Sequence, residues 1–310
     1  MLAPSSHNSQ PWSFVLKGET LELWPDPSRH LAVADPDRRE LTLACGAALF
    51  CLRLAAWSVG AGLEVDVSAS SERPLASITR APLECEFDWE PEFAALPYLR
   101  MDFRPFRVDT PTPALLRAVT RPILGGFPRG FKSYCGPVQV GLVRDDTGRQ
   151  AISRRVEEAA REQWSNPGFR KELAGWEGAE ELLAYRLGLP PFLAWLAPRL
   201  LPVWSPAERI AESQAQQARE APVLVVLGAA REGVLEWLSC GECLAALALS
   251  GRARGLSWSP FLAVTRRASR RAHVGEQSGV DHPQVLLRLG YGGHVPAPPR
   301  RGVDEVCTVS

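Results

Sequence analysis

The sequence opens on a polar block, Ala3-Pro4-Ser5-Ser6-His7-Asn8-Ser9-Gln10-Pro11-Trp12, in which only Trp12 is large and apolar. Hydroxyl and amide side chains beside two prolines favour a stiff loop that offers hydrogen bonds. The apolar segment 13–16 follows at once and predicts a short strand. From these residues alone, the block is either a surface turn that opens a hairpin or a seat for a planar polar ligand.

The bulk composition is that of an ordinary globular protein. The chain has 310 residues, enough for one large domain or two smaller ones, and 45% of them are hydrophobic. Lys and Arg together number 35, as do Asp and Glu, so the net charge is zero. This balance gives no support for a general nucleic-acid or membrane-surface partner, because such partners need a field of one sign.

Seven cysteines are spread along the chain, and the polar start has no signal-peptide pattern. We therefore expect reduced thiols and a cytoplasmic protein. Cys240 and Cys243 have CxxC spacing, but they lie in a helical pattern without a second pair, which favours buried helix positions over a metal site. The apolar stretch 41–63 is interrupted by Arg53 and predicts a core helix rather than a membrane span.

Hydrophobic periodicity and turn residues predict two successive α+β segments that share an order of elements without a close sequence repeat. The predicted strands and helices are strands 12–16 and 21–24, helix 38–59, strands 63–68 and 76–80, helix 114–120, strand 138–143, a helix from 145 to about 164, strand 222–227, helix 233–254, a strand-like segment at 255–261 and strand 285–289.

Two regions interrupt this pattern. Residues 84–99 are acidic, aromatic and rich in proline, which predicts a linker across the surface. Residues 172–205 form an insertion rich in Leu, Pro and Trp, in which prolines prevent a long regular helix. This insertion is either a lid or interface element, or a satellite core packed on its own domain.

The spacing Pro-Ser-Ser-x-Asn-x-Gln-Pro-Trp in block 4–12 resembles the signature of the nitroreductase family. Further blocks, in the same order along the chain, resemble the Acg-like branch, whose members are similar to a nitroreductase homodimer fused into one chain. These blocks are 34–41, 45–49, 102–106, 163–170, 241–256, 282–288 and 299–306.

This resemblance implies a fold as well as a chemistry. The fold would be α+β, with mixed, mainly antiparallel sheets flanked by helices and two tandem halves, 1–99 and 100–310, that form a pseudo-dimer. The chemistry would be that of an FMN-dependent oxidoreductase, in which hydride passes through flavin N5 from NAD(P)H or an organic donor to a nitro, quinone or enone acceptor. In relatives a helix precedes the opening loop, so either the true start lies upstream or this half is trimmed.

The resemblance also implies the residues that hold FMN, with arginines on the phosphate, a glutamine pair on the pyrimidine edge, and the loop at 259–260 near N5. Their alternative is ordinary solvated surface. No side chain is expected to act as a general acid or base, and a lone His7 is more often structural. The implied cofactor-binding residues are Ser5, Ser6, Asn8, Gln10, Arg104, Gln214, Gln217, Ser259, Pro260, Arg300 and Arg301.

Other functions remain open at this level. The insertion at 172–205, if it is a lid, favours an FMN-binding or storage protein with little turnover. A biosynthetic dehydrogenase whose substrate donates the hydride is a further alternative, and a cofactor-free relic is another. The protein is expected to be a monomeric pseudo-dimer or a homodimer, with a small-molecule substrate.

Overall fold

A computed structural model of the protein describes residues 2–70, 72–83, 88–124, 138–176 and 190–310. Within them, two β-sheets are flanked by helices, and every strand pair but one is antiparallel. The predicted α+β class with mainly antiparallel sheets is confirmed. The strands are β1 (Trp12–Lys17), β2 (Thr20–Pro25), β3 (Gly62–Val67), β4 (Ala76–Ala81), β5 (Gln139–Val143), β6 (Val223–Ala229), β7 (Ser257–Pro260), β8 (His282–Gly290) and β9 (Cys307–Val309).

The described helices follow the predicted pattern with shifted ends and several additions. One addition lies in the predicted linker 84–99, where Glu90 and Pro91 open a short helix whose Glu92 is fully buried. The linker prediction was therefore wrong for 90–95, while residues 84–87 lie outside the described part. The helices are α1 (Arg39–Ser58), α2 (Glu90–Ala95), α3 (Pro113–Leu124), α4 (Asp146–Ser165), α5 (Pro167–Ala174), α6 (Ala197–Leu200), α7 (Ala207–Arg219), α8 (Val234–Ala253), α9 (Ala268–Ser278) and α10 (Val303–Val306).

The two sheets repeat one strand order. The first runs β1-β2-β4-β3 and the second β5-β6-β8-β7, in both cases with antiparallel neighbours. The first sheet has one extra strand, β9, which pairs in parallel with the outer edge of β1 and sets Phe14 beside Cys307. Residues from the end of the chain thus complete a sheet built from its beginning.

The long helices α1 and α8 form the centre of the molecule and pack against each other. Both are long and apolar enough to cross a membrane by composition. However, 72% of the most apolar window of α1 and 83% of that of α8 are buried within the fold, as expected for core helices. Cys240 and Cys243 are buried on α8, and no cluster of side chains that could hold a metal ion occurs among the described residues.

The contact between α1 and α8 is reciprocal. A Cβ atom on Gly46 would lie 2.0 Å from the carbonyl oxygen of Leu238, and one on Gly241 would lie 2.0 Å from that of Leu43. Each glycine therefore lets the backbone of the other helix approach, as in a two-fold interface. The same spelling, Leu-x-Cys-Gly-x-x-Leu, occupies 43–49 and 238–244, a short repeat that the order of elements alone had not revealed.

The described part of the insertion at 172–205 forms a satellite core. Leu173, Ala197 and Leu201 are buried in one cluster with residues of α4, α5 and α7, and with Leu31 and Ala34 from the first segment of the chain. The Glu172 carboxylate accepts hydrogen bonds from the backbone N–H groups of residues 33 and 34. Residues 177–189 of the predicted lid lie outside the described part of the chain.

We expect substitution of Gly46 or Gly241 to lower the free energy of unfolding. Gly46→Ala would press a methyl group against a backbone carbonyl, which should lower the free energy of unfolding by about 3 kcal/mol, the upper end for overpacked cores. Urea unfolding followed by circular dichroism measures this. Gly175→Ala is the matched control, because its Cβ would meet its nearest neighbour at an ordinary 3.5 Å. Equal stability of the two variants would contradict the close contact.

Candidate functional site

A cavity of about 250 Å³ lies where the opening loop meets the second sheet. Its walls come from five regions: the opening loop, the turn at 101–105, the end of α4, one face of α7, and the segment from β7 to residue 266. Three arginines and no acidic side chain line it. The lining residues are Ser6, His7, Met101, Phe103, Arg104, Pro105, Gln163, Trp164, Arg209, Ile210, Ser213, Gln214, Gln217, Ser259, Pro260, Phe261, Leu262, Ala263 and Arg266.

Helix α7 supplies a polar face to this cavity. Arg209, Ser213 and Gln217 recur every four residues and so lie in one row, with Gln214 beside them. The opposite face is made of small alanines, among them Ala211 and Ala215, which are buried. The alternation of small apolar and polar residues thus turns the row of α7 toward the cavity.

The two predicted glutamines differ in what they do. Gln217 donates from Nε2 to the carbonyl oxygen of Phe103 at 2.9 Å, so it holds the turn that carries Arg104. Gln214 is half-buried and makes no hydrogen bond with any described residue. Its amide is therefore available to a bound molecule.

Arg104 is fixed in place by a buried acid. Its Nε and Nη2 atoms donate to the Asp102 carboxylate at 2.9 and 3.1 Å, in the two-pronged geometry typical of arginine. The Arg104 side chain is 42% exposed, whereas that of Asp102 is 1% exposed. Behind the turn, buried Arg288 donates to the carbonyl oxygens of residues 102 and 104. A rigid turn therefore presents one partly neutralised guanidinium to the cavity.

Ser6 and Arg266, which both line the cavity, share one buried carboxylate. Glu40 accepts a hydrogen bond from Ser6 Oγ at 2.6 Å, and from Arg266 Nε and Nη2 at 2.6 and 3.0 Å. The Arg266 and Arg39 guanidiniums together with the Ser6 hydroxyl outweigh the cost of burial and lower the pKa of Glu40 to about 2. Because the Ser6 proton is donated to Glu40, the hydroxyl offers only lone pairs to the cavity.

Asp35 is a second buried acid at the start of α1, next to Glu40. Its carboxylate accepts the backbone N–H groups of Glu40 and Leu41 at 2.9 and 2.8 Å, and so caps the start of α1. Burial, together with the negative charge of Glu40, raises the pKa of Asp35 to about 6. Neighbouring Arg39 donates to the Gln284 carbonyl oxygen and to Thr265 Oγ1, more than 220 residues further along the chain.

The opening loop has an unusual backbone. His7, Asn8 and Gln10 all have positive φ angles, between 50° and 58°. Residues other than glycine seldom occupy this region. Ser5 Oγ accepts the backbone N–H of Gln10 at 2.9 Å across the bend. Such strain, about 1–3 kcal/mol per residue, persists only where surrounding contacts hold it.

Arg300 and Arg301 supply those contacts. Arg300 donates to the Ala3 carbonyl oxygen and to Asn8 Oδ1, while Arg301 donates to the carbonyl oxygens of Gln10 and Trp12. Burial lowers the pKa of Arg300 to about 10, still well above neutrality. The structure places both arginines behind the loop and outside the cavity wall.

The predicted residues thus divide into three groups. Ser6, Arg104, Gln214, Gln217, Ser259 and Pro260 line the cavity. Ser5 lies in an adjoining cleft that shares Ser6, Met101, Pro260 and Leu262 with the cavity. Asn8, Gln10, Arg300 and Arg301 bind one another behind the opening loop.

Sequence reasoning missed four residues at this site, Glu40, Trp164, Arg209 and Arg266. Glu40 and Trp164 lie in blocks that the resemblance had marked, 34–41 and 163–170, without a role. Arg266 and Arg209 stand among several arginines in their segments, and only the fold shows which of them reach the cavity.

Relatives of known description match nearly the whole chain, although no family model matches it. A protein of Mycobacterium tuberculosis named "Putative NAD(P)H nitroreductase acg" is 28% identical over 98% of this chain and 91% of its own length. The chain resembles the Acg-like nitroreductases throughout. A second protein of that organism with the same type of name is 28% identical, covering 98% of this chain and 87% of its own. The predicted resemblance is confirmed.

Solved structures give a weaker likeness. The FMN- and NADPH-dependent nitroreductase NfnB from "sphigopyxis sp. strain HMH" has a TM-score of 0.47 at 23% identity, over 69% of this chain and 96% of that one. NfnB from Mycobacterium smegmatis, in complex with NADPH, has a TM-score of 0.45 at 18% identity, over 72% and 100%. The likeness to nitroreductases therefore rests on the relatives found by sequence.

Replacing the shared carboxylate should destabilise the protein in a pH-dependent way. Glu40→Gln leaves two guanidiniums without their counter-charge, and we expect a loss of about 3 kcal/mol at pH 7. The pKa of Glu40 is lower folded than unfolded, so its contribution is present above pH 4.5 and is lost as the pH falls toward 2. Urea titrations at several pH values should show that the difference in the free energy of unfolding between wild type and Glu40→Gln narrows over that range. Glu158→Gln is the control, because Glu158 forms an exposed ion pair with Arg155. A stability difference between wild type and Glu40→Gln that does not change with pH would contradict an ionised Glu40.

Proposed function

We propose that the protein is an FMN-dependent oxidoreductase of the NAD(P)H nitroreductase type. One observation carries the proposal. Ser6, Arg104, Gln214 and the pair 259–260 come from four distant segments, and they meet around one cavity. The resemblance implied a flavin-binding role for each of them. The names of the M. tuberculosis relatives, which specify NAD(P)H nitroreductases, support the same chemistry and the same electron donor.

The residues present fit FMN. A flavin phosphate needs a cation, and Arg104 offers a guanidinium whose orientation Asp102 already fixes. The pyrimidine edge needs an amide partner, and Gln214 has no other one among the described residues. Ile210 and Leu262 supply apolar surface. The cavity falls slightly below the usual 300–1,000 Å³ of a ligand pocket, and the adjoining cleft at Ser5 extends it.

Each group then has a distinct task. Arg104 binds the phosphate, and Gln214 pairs with the pyrimidine edge. Ser6 accepts a hydrogen bond from the ring system, because Glu40 takes its proton. Ser259 and Pro260, at the end of β7, would contact its ring system. Bound FMN would supply hydride transfer at N5, and we assign no general acid or base among the described side chains.

The remaining predicted residues shape the site from behind. Gln217 positions the turn of Arg104, whereas Arg300 and Arg301 hold the strained loop that carries Ser6. Asn8 and Gln10 connect that loop to the segment at 299–301. Their substitution should loosen FMN binding through the loop rather than by loss of a direct contact.

We propose further that residues 1–99 and 100–310 are the two halves of a pseudo-dimer with one FMN between them. The repeated strand order and the reciprocal glycine contact support this division. Strand β9 belongs to the second half in sequence and to the first sheet in space. Such a molecule can act as a cytoplasmic monomer, and a homodimer would pair two complete units.

The flavin spectrum of the purified protein tests the proposed function. FMN added to the protein should bind, shift the absorbance band near the visible flavin maximum, and raise the melting temperature. Anaerobic NADPH should then bleach the bound flavin, and a nitroaromatic acceptor should restore its colour over many cycles. Tight FMN without bleaching by NADPH or NADH would identify a flavin-binding protein instead, and no binding at all would overturn the proposal.

Arg104 should contribute directly to FMN affinity. Arg104→Gln removes a charge-assisted contact to phosphate, and we expect the Kd for FMN to rise at least about tenfold. Riboflavin, which has no phosphate, should bind both proteins alike. Arg107→Gln is the control, since Arg107 is three residues away, exposed, and paired with Asp109 on the surface. Fluorescence titration measures all three proteins, and equal FMN affinity in wild type and Arg104→Gln would contradict the assignment.

A further inference from the structure

We propose that Arg209 selects a negatively charged electron acceptor, one with a carboxylate or phosphate group. The proposal rests on the proposed function, because it assigns a substrate class to the same cavity. Arg209 has no role in the resemblance described above.

The charges around the cavity are unequally paired. Arg104 faces Asp102 and Arg266 faces Glu40, so a carboxylate behind the wall already balances each of these cations. Arg209 forms no ion pair or hydrogen bond with any described residue. No acidic side chain lines the cavity, so its lining carries one uncompensated positive charge.

Arg209 has two acidic neighbours on α7, Glu208 and Glu212. Glu208 is engaged by Arg161 of α4 at 2.9 Å, on the side of α7 that packs against that helix. Glu212, one turn along from Arg209, makes no ion pair within the described residues. The exposed guanidinium of Arg209 is therefore free to bind an anion from solution.

Arg209 lies far along α7 from the turn of Arg104, the proposed phosphate anchor. Gln217 holds the turn of Arg104 and lies eight residues beyond Arg209 on α7. At a rise of 1.5 Å per residue, about 12 Å of helix lies between them. Asp102 holds the Arg104 guanidinium at its own end of this row. The two cations thus serve two different anions, the flavin phosphate and a group on the second ligand.

The surroundings of Arg209 suit an aromatic acid. Trp164 and Ile210 line the same cavity and provide an apolar wall, and Ser213, one turn from Arg209, accepts from Gln217 and keeps its own hydroxyl proton for a ligand. An aromatic ring with an anionic substituent would place the ring against the apolar wall and the charge on the guanidinium.

The test compares two acceptors of equal shape and different charge, 4-nitrobenzoate and 4-nitrobenzamide, on the FMN-loaded protein. Calorimetric titration should show tighter binding of the benzoate by wild type. Arg209→Gln should weaken benzoate binding at least about tenfold and leave the amide unchanged, whereas Arg209→Lys should retain part of the preference. The preference should also shrink as salt is raised, since the guanidinium is exposed.

Several results would overturn the proposal. An equal loss for both acceptors would give Arg209 a structural role, and a loss of FMN affinity in Arg209→Gln would assign it to the flavin phosphate. Arg219→Gln, at the exposed end of the same helix, is the control for a general change in surface charge. If the benzoate preference is present but reduced flavin transfers no electrons to either acceptor, the proposed function fails and the anion site stands.

Discussion

The packing of α1 against α8 is the contact on which the other parts depend. The backbones touch through Gly46 and Gly241, so no side chain separates the two helices at these points. Close contact leaves little freedom in the angle and distance of the pair. The start of α1 carries Glu40, and β7 follows the end of α8, so the spacing of the helices sets the distance between two walls of the cavity. A small change at the glycines would therefore be transmitted to the site.

Buried ion pairs also join residues that are far apart in the sequence. Glu40 of α1 meets Arg266, and Glu242 of α8 meets Arg53 of α1 at 2.9 Å. Burial raises the pKa of Glu242 to about 7 despite its arginine partner, whereas several donors keep Glu40 ionised. The two carboxylates differ in their surroundings, because two guanidiniums and the Ser6 hydroxyl oppose the cost of burial at Glu40, whereas Arg53 alone does so at Glu242. Glu40, beside the cavity, is the carboxylate that has two guanidiniums and a hydroxyl group around it.

Local patterns predicted much of the fold. The hairpin at 12–25 and the helices α1 and α8 follow from turn residues and apolar periodicity, which act over a few residues. The resemblance named six of the residues that line the cavity. It could not show that Arg300 and Arg301 bind the opening loop from behind, or that Arg209 reaches the cavity, because these outcomes depend on how distant segments pack. The repeat at 43–49 and 238–244 is readable in the sequence, but only the fold shows that the glycine of each copy faces the leucine carbonyl oxygen of the other copy.

The parallel pairing of β9 with β1 has a consequence for biosynthesis. The ribosome synthesises the opening loop almost 300 residues before Arg300 and Arg301, whose guanidiniums hold the strained residues of that loop. During translation the outer edge of β1 stays unpaired, and the loop carbonyls remain without their partners. Contacts this distant in sequence form slowly, because a long chain must first be closed into a loop. A nascent chain can therefore assemble its two central helices before it possesses a finished ligand site.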